Sequence, residues 1–193
     1  MRVGPADQIK ECPFQSLSND GTTLVSEEGS FVLGFFTPGN SKNSYVGIWY
    51  KNIPVQPVVW VANRTGIRRS LTAWKSWDDP CPGDFIFGIE FAPQLNTLPE
   101  AYIWNGTSKF YRTVSWFGLS FSGSPDLKSN FYYHGIVYKN DEVHYTYSLK
   151  NKSVISRIYM NQTKGSREHL TWIEEDQTWG LDLSVRRAEC DWI

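Results

Sequence analysis

Polar and apolar positions in this chain change places with a period of two, and no helical period persists for three turns. Phe85, Phe87, Ile89 and Phe91 share one parity, with Ile86, Gly88 and Glu90 on the other, the alternation of a strand with one buried face. Val143, Tyr145, Tyr147 and Leu149 alternate in the same way with His144, Thr146 and Ser148. Runs 131–139 and 154–161 flank that strand across Asn140-Asp141 and Asn151-Lys152, so the three are expected to form an antiparallel meander. Pro99–Trp104 and Phe110–Ser115 bracket a polar loop at 105–109, and Leu170–Ile173 and Thr178–Leu183 bracket Glu174-Glu175-Asp176-Gln177. Both read as hairpins. Upstream, Gly29–Phe36, Tyr45–Tyr50 and Val58–Asn63 are rich in aromatic and β-branched residues and are separated by Thr37-Pro38-Gly39-Asn40-Ser41 and Lys51-Asn52-Ile53-Pro54. Such runs suit a pleated, half-buried surface and such clusters end it, which predicts a second meander. The fold class is all-β, in two blocks. If the parity is right, Phe85, Phe87, Tyr145 and Tyr147 lie on buried faces.

Composition sharpens this picture. The 193 residues include 16% aromatics, 9 of them Trp, a loading that favours a sheet protein with a large core. The formal net charge of −1 provides no field to draw the chain to nucleic acid or to an anionic membrane. The longest uninterrupted apolar run, Val58–Ala62, is far below the ~20 residues that span a bilayer. Met1–Lys10 lacks the apolar centre of a secretory signal, so neither a leader nor a membrane span is expected in this sequence. Four N-glycosylation sequons begin at Asn63, Asn105, Asn151 and Asn161 and point outward; Asn105, Asn151 and Asn161 are expected to be exposed, in loops or at strand ends. Cys12, Cys81 and Cys190 are odd in number and lack metal-ligand spacing. At most one internal disulfide can form, and its pairing is left open.

Convergent catalytic groups are not found. His134, His144 and His169 stand singly and read as ordinary surface histidines. Asp78-Asp79 precede Pro80, where turn formation outweighs acid–base work. Glu174-Glu175-Asp176 form a solvated loop tip. No nucleophile elbow, phosphate-binding glycine loop or set of kinase motifs occurs. No catalytic residue, metal site or cofactor is therefore assigned. Trp104, Tyr111, Trp116 and Phe117 cluster around the 105–109 hairpin and the loop after it. Such rings either pack a core or anchor a sugar or protein partner.

The wording of the strands carries more than their period. Gly29-Ser30-Phe31-Val32-Leu33-Gly34-Phe35-Phe36, Tyr45-Val46-Gly47-Ile48-Trp49-Tyr50 and Val58-Val59-Trp60-Val61-Ala62-Asn63 resemble the bulb-type (G-type) lectin module that opens plant S-locus glycoproteins and S-domain receptor-like kinases. Downstream, Leu71-Thr72-Ala73-Trp74-Lys75-Ser76-Trp77, Trp104-Asn105-Gly106, Phe110-Tyr111-Arg112 and Trp116-Phe117-Gly118-Leu119-Ser120-Phe121-Ser122-Gly123 resemble the S-locus glycoprotein domain that follows it. The resemblance runs from about Gly21 to Trp179. It implies an N-terminal segment over 1–20, a truncated lectin module over 21–66 with β-prism-like strands, and an antiparallel S-locus glycoprotein domain over 67–193.

The chain departs from the family at the join. A full lectin module has about a hundred residues, yet seven residues separate Asn63 from Leu71. The family's mannose-binding strand is missing, as is the kinase, so the resemblance implies an internally deleted, non-catalytic recognition module. Its expected partner is a protein or peptide at the plant cell surface, or a carbohydrate, in the setting of pollen recognition and self-incompatibility; a mannose lectin and a non-functional truncated product are the alternatives. Trp49 and Trp60, deprived of lectin neighbours, are expected to be partly exposed.

Overall fold

The computed structural model describes residues 17–55, 57–62, 70–91, 97–113, 115–118, 121, 132–139, 142–151 and 153–186. Over these the chain is all-β: thirteen strands, 62% of the described residues in strands, and no helix. They are β1 (Thr23–Val25), β2 (Phe31–Phe36), β3 (Tyr45–Tyr50), β4 (Val58–Val61), β5 (Leu71–Ser76), β6 (Asp79–Glu90), β7 (Glu100–Asn105), β8 (Ser108–Arg112), β9 (Tyr132–Lys139), β10 (Glu142–Leu149), β11 (Ser156–Asn161), β12 (Ser166–Ile173) and β13 (Thr178–Val185). They form four sheets, in the orders β1-β2-β3-β4, β5-β6-β7-β8, β9-β10 and β11-β12-β13. Two compact units divide them: 17–62 with Ser76–Cys81, and 70–75 with 82–186.

In the N-terminal unit, β2 pairs antiparallel with β3 from Phe31↔Tyr50 to Phe36↔Tyr45, and β1 and β4 flank them. The strands fall where the pattern of aromatic runs and turn residues puts them. One expectation fails. Trp49 is buried, at 8% exposure, because Gly34 leaves room for its ring: a Cβ there would meet Trp49 Cη2 at 2.8 Å. The Phe36 ring meets the indole edge-on at 6.4 Å between centroids. Trp60, on the edge strand β4, is 51% exposed, as expected.

In the second unit, β6 to β8 run as consecutive hairpins. Phe87 opposes Ile103 and Ile103 opposes Tyr111, so β6, β7 and β8 give one face to a core of Ala73, Ile103, Tyr111, Met160, Leu183 and Val185. Phe85 and Phe87 pack on that core, half-buried rather than sealed. Tyr145 packs on a second cluster of Ala101, Trp116 and Phe121. Strand β5 and the start of β6, where Pro80 and Pro82 hid the pattern, extend this sheet beyond the expected strand at Phe85–Phe91.

The expected three-stranded meander is corrected. Strands β9 and β10 pair from Tyr132↔Leu149 to Lys139↔Glu142, but β11 pairs with β12 instead of β10, from Ser156↔Thr171 to Asn161↔Ser166. A closely tied local turn builds the β11–β12 pair. Asn161 Oδ1 accepts the Thr163 and Lys164 backbone N–H groups at 3.1 and 3.0 Å, and the Gly165 N–H donates to the Asn161 carbonyl at 2.9 Å. Gly165 has φ +60°, and a Cβ there would meet the Phe85 ring at 2.7 Å. The turn needs glycine both for its backbone and for its room, and it closes the β11–β12 hairpin.

Candidate interaction surface

Strands β6, β7 and β8 alternate, so one face feeds the core while the other carries Ile86, Gly88 and Glu90, Glu100, Tyr102 and Trp104, and Lys109. The two-residue turn Gly106-Thr107, with Gly106 at φ +57°, and a bulge between Ile103 and Trp104 set Lys109 opposite Trp104. The Lys109 ammonium lies 3.9 Å from the Tyr102 ring centre and 5.1 Å from that of Trp104. It donates to Glu90 Oε2 at 2.8 Å, and that bond raises its pKa. Tyr102 OH donates to Glu100 Oε2 at 2.5 Å, and Ser115 Oγ donates to the other oxygen at 3.2 Å. Burial first, and the Glu100 bond second, raise the Tyr102 pKa. The result is a part-exposed Trp104 ring beside the exposed Lys109–Glu90 pair, with the Tyr102 ring, 7% exposed, covered by the ammonium.

The four aromatics singled out in the sequence separate here. Trp104 is half-exposed on this face and Phe117, just after the hairpin, is 59% exposed. Tyr111 and Trp116 are each 7% exposed and belong to the two cores. Tyr111 is inward because it opposes Ile103 in register, and Trp116 because its ring meets Phe121 at 5.1 Å across an isolated bridge. The surface reading is corrected for these two.

The sequons also differ. Asn105 and Asn151 are exposed, whereas Asn63 lies outside the described residues. Asn161 is half-buried: its side-chain nitrogen donates to Glu168 Oε1 at 3.3 Å while its oxygen holds the turn. Glu168 is 3% exposed. Burial alone would raise its pKa, but bonds from Tyr159, Lys164, Ser166 and Asn161 outweigh that and lower it. Burial and the same carboxylate push the Tyr159 hydroxyl up to about 12.

The histidines are not ordinary surface residues. His169 is 2% exposed and His134 is half-buried, since both fall on the inward parity of their strands, a signal that isolated histidines in a sequence do not carry. Desolvation, aided by the nearby Arg167, lowers them to about 3 and about 4 respectively. Among the described residues no group of His, Cys, Asp and Glu is arranged to hold a metal ion. No helix there is long and apolar enough to cross a membrane. Cys81 is exposed, and Cys12 and Cys190 lie outside the described residues.

The chain is all-β with a mixed aromatic and charged surface, and its relatives support a family of recognition modules. Residues 111–193 match the S-locus glycoprotein domain. An S-locus-specific glycoprotein of Brassica oleracea var. alboglabra is 35% identical over an alignment covering 90% of this chain and 59% of the relative. Another, from Brassica oleracea, is 26% identical over 78% of this chain and 54% of the relative. A G-type lectin S-receptor-like serine/threonine-protein kinase of Arabidopsis thaliana is 27% identical over 92% of this chain and 31% of the relative. Over 111–193 the chain carries the S-locus glycoprotein domain, and along most of its length it is similar to the S-domain region of these glycoproteins and receptor-like kinases. It spans about a third of the kinase's length and little more than half that of the glycoproteins, and what it shares with them is the S-domain, not a kinase domain. The kinase alignment runs over 266 positions, while 92% of 193 residues is about 178, so about 88 positions of the relative have no counterpart here.

Proposed function

We propose that this chain is a recognition module of the plant cell surface that binds a protein or peptide ligand through the outward face of β6, β7 and β8. The observation that carries this reading is the part-exposed Trp104 ring beside the Lys109–Glu90 pair, seated on the buried Tyr102 ring that Glu100 holds. A rigid ring beside a fixed cation and a carboxylate suits a peptide with both charged and apolar groups. Phe117 extends the apolar part. Kinship with S-locus-specific glycoproteins supports a ligand of the kind read in pollen recognition and self-incompatibility, with the module outside the cell and Asn105 and Asn151 carrying glycans. We place the missing residues at the join near Asn63–Leu71, between a truncated lectin module over 21–66 and the S-locus glycoprotein domain over 67–193.

Peptide display on the folded chain, counter-screened on a Trp104→Ala/Phe117→Ala variant, tests the reading. Peptides whose affinity falls at least tenfold on the variant support it. A glycan array on the same protein tests the alternative: mannose recognition needs polar side chains at alternating positions of one strand, converging on a shallow pocket, and this sequence contains no such strand. Saturable mannose binding that is indifferent to Trp104 and Phe117 would overturn the proposal.

A further inference from the structure

The β9–β10 hairpin presents Tyr132, His134, Tyr145 and Tyr147 on one face, and these meet the face of β11–β12–β13 that carries Arg167, His169 and Thr171. The His169 ring lies 4.2 Å from Tyr132 and 5.4 Å from Tyr147 between centroids, and its Nε2 has no hydrogen-bond partner. His134 Nδ1 is 2.6 Å from the Tyr145 hydroxyl, and those rings stack at 20°. Arg167, 7% exposed, lies with its guanidinium 4.7 Å from the Phe87 ring centre and 5.7 Å from that of Tyr145.

The charges that face the pair are unfavourable to a proton. Arg167 on β12 acts on both histidines, and His134 acts on His169. From β9 and β10 come only the Tyr132, Tyr145 and Tyr147 rings, from β11 Ser156, and from β6 the apolar Phe87. Asp182, at the β13 bulge, accepts from Tyr132 OH at 3.0 Å and from Thr171 and is not among the groups that act on either histidine. Glu168 lies on the opposite parity of β12, tied to Tyr159 and Lys164. His144 lies on the opposite parity of β10.

We propose that His134 and His169 make the β9–β10 hairpin a pH-sensitive element, held on the β11–β12–β13 sheet while both rings are neutral and released when either takes a proton. A proton on His169 would add charge beside Arg167, and Asp182, the carboxylate on that face, is already held by Tyr132 and Thr171. A proton on His134 makes both ring nitrogens donors, so that Nδ1 can no longer accept from the Tyr145 hydroxyl, and adds charge at the same place. Both folded values lie below the ordinary 6.5. The open state therefore binds more protons, and the hairpin's hold is complete above about pH 6.5 and weakens as pH falls toward 4 and 3.

Hydrogen exchange on the full chain, corrected for intrinsic rates, reads this directly. Between pH 7 and pH 4.5, protection over Tyr132–Lys139 and Glu142–Leu149 should fall at least tenfold, while Ala101–Tyr111 changes little. A His134→Gln/His169→Phe variant should flatten that response. Unchanged hairpin protection in the wild type, or a wild-type response in the variant, would overturn the proposal. Should the variant fail to fold, histidine NMR titration of the wild type decides: His169 should stay neutral until the hairpin opens. A ring that titrates near 6.5 with hairpin exchange unchanged would sink the idea.

Discussion

The N-terminal sheet and the sheets that follow Ser70 bury their rings by different means. In β1–β4, Trp49 is covered by shape: Gly34 leaves a gap, Phe36 closes it, and the neighbouring Val32 is 7% exposed. The buried polar residue there is Ser26, whose hydroxyl accepts from the Phe31 N–H at 3.0 Å. In β9–β13 the rings go inside together with polar groups. Tyr132 reaches Thr171 and Asp182, Tyr159 reaches Glu168, and Arg167, Glu168 and His169 are all under 9% exposed. Shape alone gives burial that is indifferent to pH. Polar burial ties stability to protonation states, and each partner removed leaves another group unsatisfied.

A large effect that tests this contrast is expected at Ile103, which is 0% exposed at the centre of the apolar core. Ile103→Ala should destabilise the second unit by about 2–5 kcal/mol, read by denaturant unfolding followed through its tryptophans. A loss under 1 kcal/mol would show that the apolar core is not what holds this unit.

Next is Glu168→Gln, which keeps the shape but weakens bonds from Tyr159, Lys164, Ser166 and Asn161. The expected loss is about 1.5–3 kcal/mol at pH 7. Because the folded Glu168 pKa lies below its ordinary 4.5, this contribution is present above about pH 4.5 and disappears as pH falls through the folded value. The gap between wild type and variant should therefore close in acid. A gap that persists at pH 2 would mean that the charge is not what matters.

Lys109→Ala, on the outward face, should cost less than about 1 kcal/mol because its ion pair with Glu90 is exposed. It should still increase the solvent quenching of Trp104 fluorescence, since the ammonium no longer lies over the ring. The smallest effect belongs to the N-terminal edge. Trp60→Ser should change stability by no more than about 0.5 kcal/mol, whereas Trp49→Ala in the same sheet should cost about 3–5 kcal/mol. Similar losses for the two would contradict the shape-based burial of Trp49.

Where one face of a strand is apolar, the sequence was enough. The alternation at Phe85–Phe91 and Val143–Leu149 predicts strands that are present, the first ending one residue earlier at Glu90, because a period of two survives whatever partner the strand takes. Where the partner decides, it was not. Strand β5, Leu71-Thr72-Ala73-Trp74-Lys75-Ser76, has no clean alternation and is fixed by its place beside β6. Tyr111 and Trp116 look like Trp104 and Phe117 in composition, and only register separates core from surface among them.

The all-β class, the two blocks of strands, the family wording and the break between Asn63 and Leu71 were determined by the sequence alone, through local periodicity, turn chemistry and residue identity. The tertiary structure decided which hairpin β11 joins, why Trp49 is hidden, and that His134, His169 and Arg167 meet inside the protein. Those outcomes depend on contacts between residues distant along the chain, and a period of two cannot specify which strand lies across the core.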